Sequence, residues 1–296
     1  MNLTLRQLRY FDAVARHGHF GRAAEASGVS QPALSVQVKE LETELGARLF
    51  ERGPRQVRLT AFGETFAGRA RAILRAVDEL GELARVSKGG LSGRLRLGVI
   101  PTVAPYLLPR VVTALGGTWP ALDLEIRETV TPNLLDALAE GALDAAILAL
   151  PSSDRRLEEA PLLSEDFVLV RPAAEADQPV PAPEALHEMR LLLLEEGHCF
   201  RDQALAVCTG GVRERHGLEG SALSTLVQMV GAGLGVTLIP EMAVAVEARA
   251  APVAVQRFPA PAPGRRLGLA WRRSTPLAPE LRHVAEVLRT ALSAPA

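Results

Sequence analysis

The stretch HFGRAAEASGVSQPALSVQVKELETEL, residues 19–45, leaves this chain few ways to fold at its start. Its first half reads as a short helix ending near Gly28, a residue suited to leaving a helix through positive φ. Ser30 fits the N-cap of a second helix, with Pro32 in the first turn, where a missing N–H costs little. In that helix Leu34, Val38, Leu41 and Leu45 make an inward stripe at helical spacing. Gln31, Ser35 and Lys39 fall on another face, with Gln37 at its flank. An earlier helix, LRQLRYFDAVAR, repeats apolar residues at Leu5, Leu8, Phe11, Val14 and Ala15. A helix, a tight turn and a second helix whose early residues are small or hydrogen-bonding describe a helix-turn-helix with its recognition helix.

The next residues support that reading. ARLFERGPRQVRLT sets a Gly53–Pro54 turn between two short β-prone runs, which predicts a winged hairpin. Arg52, Arg55 and Arg58 on or near it suit phosphate contacts. An arginine cluster alone is more often a solvated loop, but the adjacent helix-turn-helix reverses that preference. From Thr60, an N-cap by type, to about Val86 runs a long helix carrying Phe62, Phe66, Ile73, Val77, Leu80 and Ala84. Such a stripe needs a partner, so dimerisation through this helix is expected, placing two recognition helices on successive half-sites. SKGGLSG, residues 87–93, reads as a hinge. Residues 1–88 hold 14 Lys+Arg against 10 Asp+Glu, or +4; residues 89–296 hold 19 against 24, or −5. The overall charge of −1 thus hides a basic head on an acidic remainder, as in a polyanion-binding module joined to something else.

From Leu95 the rhythm changes. RLRLGVI, DLEIRE, LDAAILAL, DFVLVR, VTLIP and LGLAW read as strands, with apolar character also at Arg190–Glu195. They alternate with helical stretches such as NLLDALAEGA, the βαβ rhythm of an open α/β fold. GAGLGVTLIP follows a helix and precedes a strand, the reverse of a phosphate-binding turn, and reads as a helix C-cap. No metal or nucleotide signature stands out, so no cofactor is expected. His17, His19, His187, His216 and His283 are scattered and read as surface or packing residues, Trp271 as core. With 296 residues, 48% of them hydrophobic, the chain has room for two or three domains. No apolar run approaches the roughly 20 residues that span a membrane, and MNLTLRQLRYF lacks a signal-peptide core; a cytoplasmic location is expected.

Cys199 and Cys208 are the two cysteines of the chain, nine positions apart in EEGHCFRDQALAVC. Cys199 lies between His198 and the Arg201–Asp202 pair, and nearby positive groups favour the reactive thiolate. If one helix joined the two cysteines, their Cα atoms would lie roughly 13 Å apart and face opposite sides. A disulfide needs about 7 Å or less, so bonding would require local unravelling. Taken alone, the spacing is better explained by two buried thiols filling a core. A structural disulfide does not suit an intracellular chain, and the spacing with His198 does not match zinc ligation.

The residues from LRQLRYF to LTAFGE resemble the DNA-binding domain of LysR-type transcriptional regulators over its whole length. Beyond the hinge, GVIPTVAPYLLP, ALDAAILAL, EEGHCFRDQA followed by Cys208, and LVQMVGAGLGVTLIP resemble the peroxide-sensing OxyR branch. The resemblance implies an N-terminal all-α winged helix-turn-helix and an α/β regulatory part of two subdomains like a periplasmic binding protein. The implied limits are 1–60 for the DNA-binding domain and 61–88 for the linker helix and hinge. Residues 91–163 with 268–296 form one subdomain and 164–267 the other.

The resemblance further implies residue roles. Cys199 becomes the peroxidatic thiol and Cys208 the resolving one. Thr102, Thr131, Gly197 and His198 line a peroxide pocket, and Arg265 or Arg266 supports the thiolate. Gln31, Pro32, Ser35 and Gln37 face the DNA groove, with Arg52 and Arg55 on phosphates. Implied partners are double-stranded promoter DNA, a second copy in a homodimer and further a homotetramer, hydrogen peroxide and RNA polymerase, but no membrane. An alternative keeps the DNA-binding part and has a small-molecule effector bind between the two subdomains. A turning-over thiol peroxidase is disfavoured by the helix-turn-helix, so no enzymatic role is expected.

Overall fold

The computed structural model describes residues 2–52, 57–86, 91, 93–207 and 219–293, and the chain divides into two units, Met1–Ala84 and Arg85–Ala296. In the first unit α1 (Leu5–His17) begins on a capping box, Thr4 and Gln7 each satisfying the other's backbone N–H. Next, α2 (Phe20–Ala26) is capped by His19, whose Nδ1 accepts from the N–H groups of Gly21 and Arg22. That imidazole does the work usually done by Ser or Asn, a role its sequence neighbours do not announce. The turn passes through Gly28 at φ 64°, and α3 (Gln31–Leu45) starts under Ser30, whose hydroxyl accepts from Ala33 N–H. Leu34, Val38 and Leu41 are buried, while Leu45 packs at the margin.

Strands β1 (Phe50–Arg52) and β2 (Val57–Leu59) pair antiparallel, with Arg52 opposite Val57. The expected Gly53–Pro54 turn and Arg55 lie outside the described residues. The long helix α4 (Ala61–Val86) is capped by Thr60, which accepts from Gly63 N–H at 2.9 Å and donates to the Arg48 carbonyl at 2.8 Å. A Cβ at Gly63 would run into the Leu49 carbonyl oxygen, so this position is closed to larger residues. Phe11 binds the unit together, its ring 5.3 Å from Phe50 and 5.1 Å from Phe66. Buried Asp12 ties α1 to α4 through Arg71 at 3.0 Å and also pairs with Arg16. Phe62, Ile73 and Leu80 of α4 remain exposed.

In the second unit β3 (Gly93–Val99) lies between β4 (Leu122–Glu128) and β5 (Ala145–Leu150), parallel to both. Helices α5 (Ala104–Thr118) and α6 (Thr131–Ala139) make the crossovers that parallel pairing demands. There follow β6 (Leu157–Pro172), β7 (Leu193–Leu194), α7 (Cys199–Val207), β8 (Glu219–Gly220), α8 (Leu223–Gly231) and β9 (Thr237–Pro240). The chain then forms α9 (Glu241–Glu247), β10 (Val253–Arg257), β11 (Gly264–Arg272) and α10 (Ala278–Ser293). The sheet runs β10-β6-β11-β5-β3-β4, with β9 also on β6. It serves two cores. One gathers β3, β5, α5, α6 and α10 around fully buried Trp271. The other gathers the far half of β6 with α7, α8 and β9, where Phe167 and Phe200 meet edge to face at 5.0 Å.

The long strand β6 enters both cores. The sequence suggests a strand only at DFVLVR, but β6 begins at Leu157 because its first residues pair along β11. That pairing comes from more than a hundred residues away and leaves no local signal. Only Leu193–Leu194 of the apolar stretch Arg190–Glu195 becomes strand, paired with β8. As read, α8 ends within GAGLG, with Gly233 at φ 77°. Among the described residues no helix is long and apolar enough to cross a membrane.

Candidate functional site

Two β–α junctions of the second unit converge on the residues around Cys199. Thr102 stands in the turn after β3 and is buried. Thr131 is the first residue of α6, just after β4. Both lie beyond the carboxyl ends of parallel strands, where open α/β sheets gather ligands.

Strand alternation decides between the two neighbouring arginines. Arg265 is buried and Arg266 is exposed on the opposite face of β11, so only Arg265 reaches the interior. Arg265 donates from Nη1 to Thr102 Oγ1 at 2.8 Å and from Nη2 to the Thr102 carbonyl at 3.1 Å. Its Nε donates to Glu165 Oε1 at 2.7 Å, and its guanidinium lies 5.4 Å from the Phe200 ring centre. Burial raises the Glu165 carboxyl above its ordinary value, and the Arg265 charge and hydrogen bond offset only part of that rise. The Arg265 placement thus links Thr102 to the residue that follows Cys199.

Gly197 makes the second link. Its φ of 93° lies in the region that favours glycine. A Cβ there would sit 3.5 Å from the side chain of Val130, the N-cap residue of α6 beside Thr131. Thr102 is thus joined to Phe200 through Arg265, and Val130, the neighbour of Thr131, lies beside Gly197. Cys199 opens α7 and sits on a seam: it packs against the first core, while the adjacent Phe200 is buried in the second.

Three buried polar atoms near this seam have no hydrogen-bond partner among the described residues: Thr131 Oγ1, His198 Nδ1 and Gln203 Oε1. Burial pushes His198 below its ordinary value of 6.5, against a weaker opposite pull from Glu195, which favours a neutral imidazole. Gln203 stands four residues after Cys199, one turn along the same helix. Sequence reading passed over it, although its i,i+4 spacing from the thiol is visible there. Glu165 and Phe200 carried no such signal, because strand pairing and core packing place them.

Two expected features are arranged differently or not described. Arg201 is turned away to structural partners, donating to Glu219 Oε1 at 2.8 Å and to the Leu194 carbonyl at 2.9 Å. It therefore anchors α7 to β7 and β8. Cys208, the residue after α7, lies outside the described residues. Elsewhere in the second unit, the Tyr106 hydroxyl of α5 donates to Glu247 Oε1 of α9 at 2.6 Å. Burial and that carboxylate push the phenol well above its ordinary range.

In the first unit Gln31 and Pro32 are exposed at the start of α3, with Ser35 and Gln37 half-buried along it. Gln37 Nε2 donates to Glu40 at 2.7 Å. Arg52 ends β1.

A family model described as "LysR substrate binding domain" matches residues 88–293. Another, "Bacterial regulatory helix-turn-helix protein, lysR family", matches residues 5–64. The chain is 47% identical over 295 residues to a probable hydrogen peroxide-inducible genes activator of Streptomyces viridosporus, spanning 98% of this chain and 94% of that one. Among solved structures, a full-length OxyR variant from Pseudomonas aeruginosa is 40% identical with a TM-score of 0.78, covering 98% of this chain and 95% of that one. A mutant OxyR from Corynebacterium glutamicum, with H2O2 bound, is 36% identical with a TM-score of 0.66, covering 99% and 93%.

Proposed function

Because the chain belongs to the LysR family of bacterial regulators and, within it, to the OxyR branch, we propose that it is a peroxide-sensing, DNA-binding transcriptional regulator. It is switched by oxidation of Cys199 and disulfide formation with Cys208. The observation that carries this reading is the seam: Cys199 stands where two cores meet, with Arg265–Thr102 reaching its neighbour Phe200 and Val130–Thr131 reaching Gly197.

The chemistry follows from these groups. The Cys199 thiolate attacks one peroxide oxygen; an S–O bond forms, the O–O bond breaks, and hydroxide leaves and is protonated to water. Thr102 and Thr131 hydroxyls hold the peroxide, while His198 and Arg265 support the negative charge that develops. The resulting Cys199 sulfenic acid is attacked by the Cys208 thiol, forming S–S and releasing water. One peroxide is consumed per switch, without turnover. Joining the cysteines unravels α7, and the freed segment repacks against its surroundings.

In the DNA-binding head, residues 1–60, Gln31, Pro32, Ser35 and Gln37 meet base edges while Arg52 and Arg55 meet phosphates. Residues 61–88 link the head to the regulatory part and, through exposed Ile73 and Leu80, pair with a second copy. Residues 91–163 with 268–296 form one regulatory subdomain and 164–267 the other. A homotetramer, contact with RNA polymerase and a cytoplasmic location complete the reading.

The test is peptide mapping and DNA footprinting of reduced and peroxide-treated protein side by side. A Cys199–Cys208 linkage with an altered footprint is expected, and both should vanish in Cys199→Ser. The match to a substrate-binding domain model favours one competing reading, a metabolite effector held between the subdomains. A Cys199→Ser variant that still changes its footprint on effector addition would replace the thiol switch with that reading.

A further inference from the structure

Glu165 is a buried carboxylate to which the chemistry above assigns no part. We propose that Glu165 is a positioning residue that fixes Arg265 so that the Thr102 hydroxyl serves as a hydrogen-bond donor to peroxide. The inference rests on the peroxide reading of the Cys199 site.

Glu165 of β6 and Arg265 of β11 are direct cross-strand partners. Their side chains are 6% and 1% exposed, with Arg265 Nε 2.7 Å from Glu165 Oε1. A guanidinium is a rigid plane that only donates. With Nε committed to Glu165, its two Nη groups are aimed at Thr102, one at Oγ1 and one at the carbonyl. Phe200 covers one face of the plane. Turning the fork away from Thr102 would break the Glu165 bond as well. The carboxylate is held in turn, since its Oε2 accepts from Met242 N–H at 3.4 Å.

The consequence concerns a proton. Thr102 Oγ1 accepts from Arg265, so its own O–H is left to donate elsewhere. A departing hydroxide gathers negative charge and is stabilised by a donor already pointed at it. Glu165 acts on the reaction through two other residues and touches no reacting atom.

The experiment uses full-length reduced protein in a Cys208→Ser background, which leaves Cys199 as the single thiol. Two rates are measured: oxidation of Cys199 by hydrogen peroxide, and alkylation by iodoacetamide, which needs the thiolate but no hydroxyl donor. Glu165→Gln should slow peroxide oxidation at least roughly tenfold, the scale on which misplaced groups act, with alkylation little changed. Glu165→Asp, which keeps the charge, should recover much of the peroxide rate. Parallel loss in both reactions, or no loss in either, overturns the proposal. If Glu165→Gln does not fold, Arg265→Lys, which keeps the charge and loses the fork, is put through the same pair of reactions and must show the same split. Thr102→Val separates the two readings: slowing there without slowing in Glu165→Gln sinks the positioning role alone. A parent protein whose Cys199 reacts with peroxide no faster than free cysteine sinks the peroxide reading itself.

Discussion

Arg201 of α7 holds Glu219 of β8 at 2.8 Å, bridging in sequence the stretch in which Cys208 lies. The helix that Cys199 opens is thereby fastened at its first turn, and unravelling it means breaking this pair. Glu219 is 48% exposed, so the pair contributes no more than about 1 kcal/mol to stability. Glu219→Ala should leave the melting temperature nearly unchanged. It should speed disulfide formation after peroxide about fivefold, as about 1 kcal/mol of lost resistance implies. Quench-flow alkylation of free thiols measures this, and an unaltered rate means the bridge does not resist the rearrangement.

His198 gives a dependence on pH. Its folded value lies below 6.5 because burial disfavours the imidazolium. As pH falls the unfolded chain therefore takes up this proton first. The stability contributed is full above the ordinary value and is lost as pH drops through the depressed one. Thermal melts between about pH 7 and about pH 5 should fall less steeply in His198→Asn. An identical slope would assign the acid sensitivity to other groups.

Gly63 and Gly68 make a matched pair within α4. A Cβ at Gly63 meets the Leu49 carbonyl, whereas at exposed Gly68 it meets nothing within 4 Å. Gly63→Ala should destabilise the first unit by about 1–3 kcal/mol through overpacking and weaken DNA binding with it. Gly68→Ala should instead stabilise by up to about 1 kcal/mol through helix propensity. Chemical denaturation of the two variants decides, and equal effects would refute the packing argument.

On DNA, Arg52 and Gln31 should separate by the kind of loss they cause. Arg52→Ala should weaken binding to every sequence and reduce the slope of log affinity against log salt by about 1. Gln31→Ala should relax preference among sites at unchanged salt slope. Binding titrations over a salt series distinguish the two, and interchanged behaviour would reverse the assignments.

The helix-turn-helix was legible because its determinants are local: Gly28 at positive φ, Ser30 as cap and the Leu34–Val38–Leu41 stripe all act within one turn or two. Thr102 and Thr131 have no such local signal; only the resemblance to the OxyR branch singles them out within GVIPTVAP and ETVTPN. What escaped was set by distant pairing. The first half of β6 is strand because β11 lies beside it, and Glu165 meets Arg265 through that ladder. The choice between Arg265 and Arg266 depends on which face of β11 is covered, and a single sequence leaves both phases open. Arg201 looked like a charge beside the thiol until β7 and β8 supplied its partners.

The β6–β11 ladder also limits how the regulatory unit moves. Sliding one strand past the other by a single residue would turn Leu267 and Leu269 out of their core, so translation along the ladder is closed. Bending stays open, and the register shift between Leu267 and Gly268 marks where the ribbon already departs from regular pleating. If α7 unravels as proposed, the ladder leaves bending at that bulge, rather than sliding, as the way for the sheet to adjust.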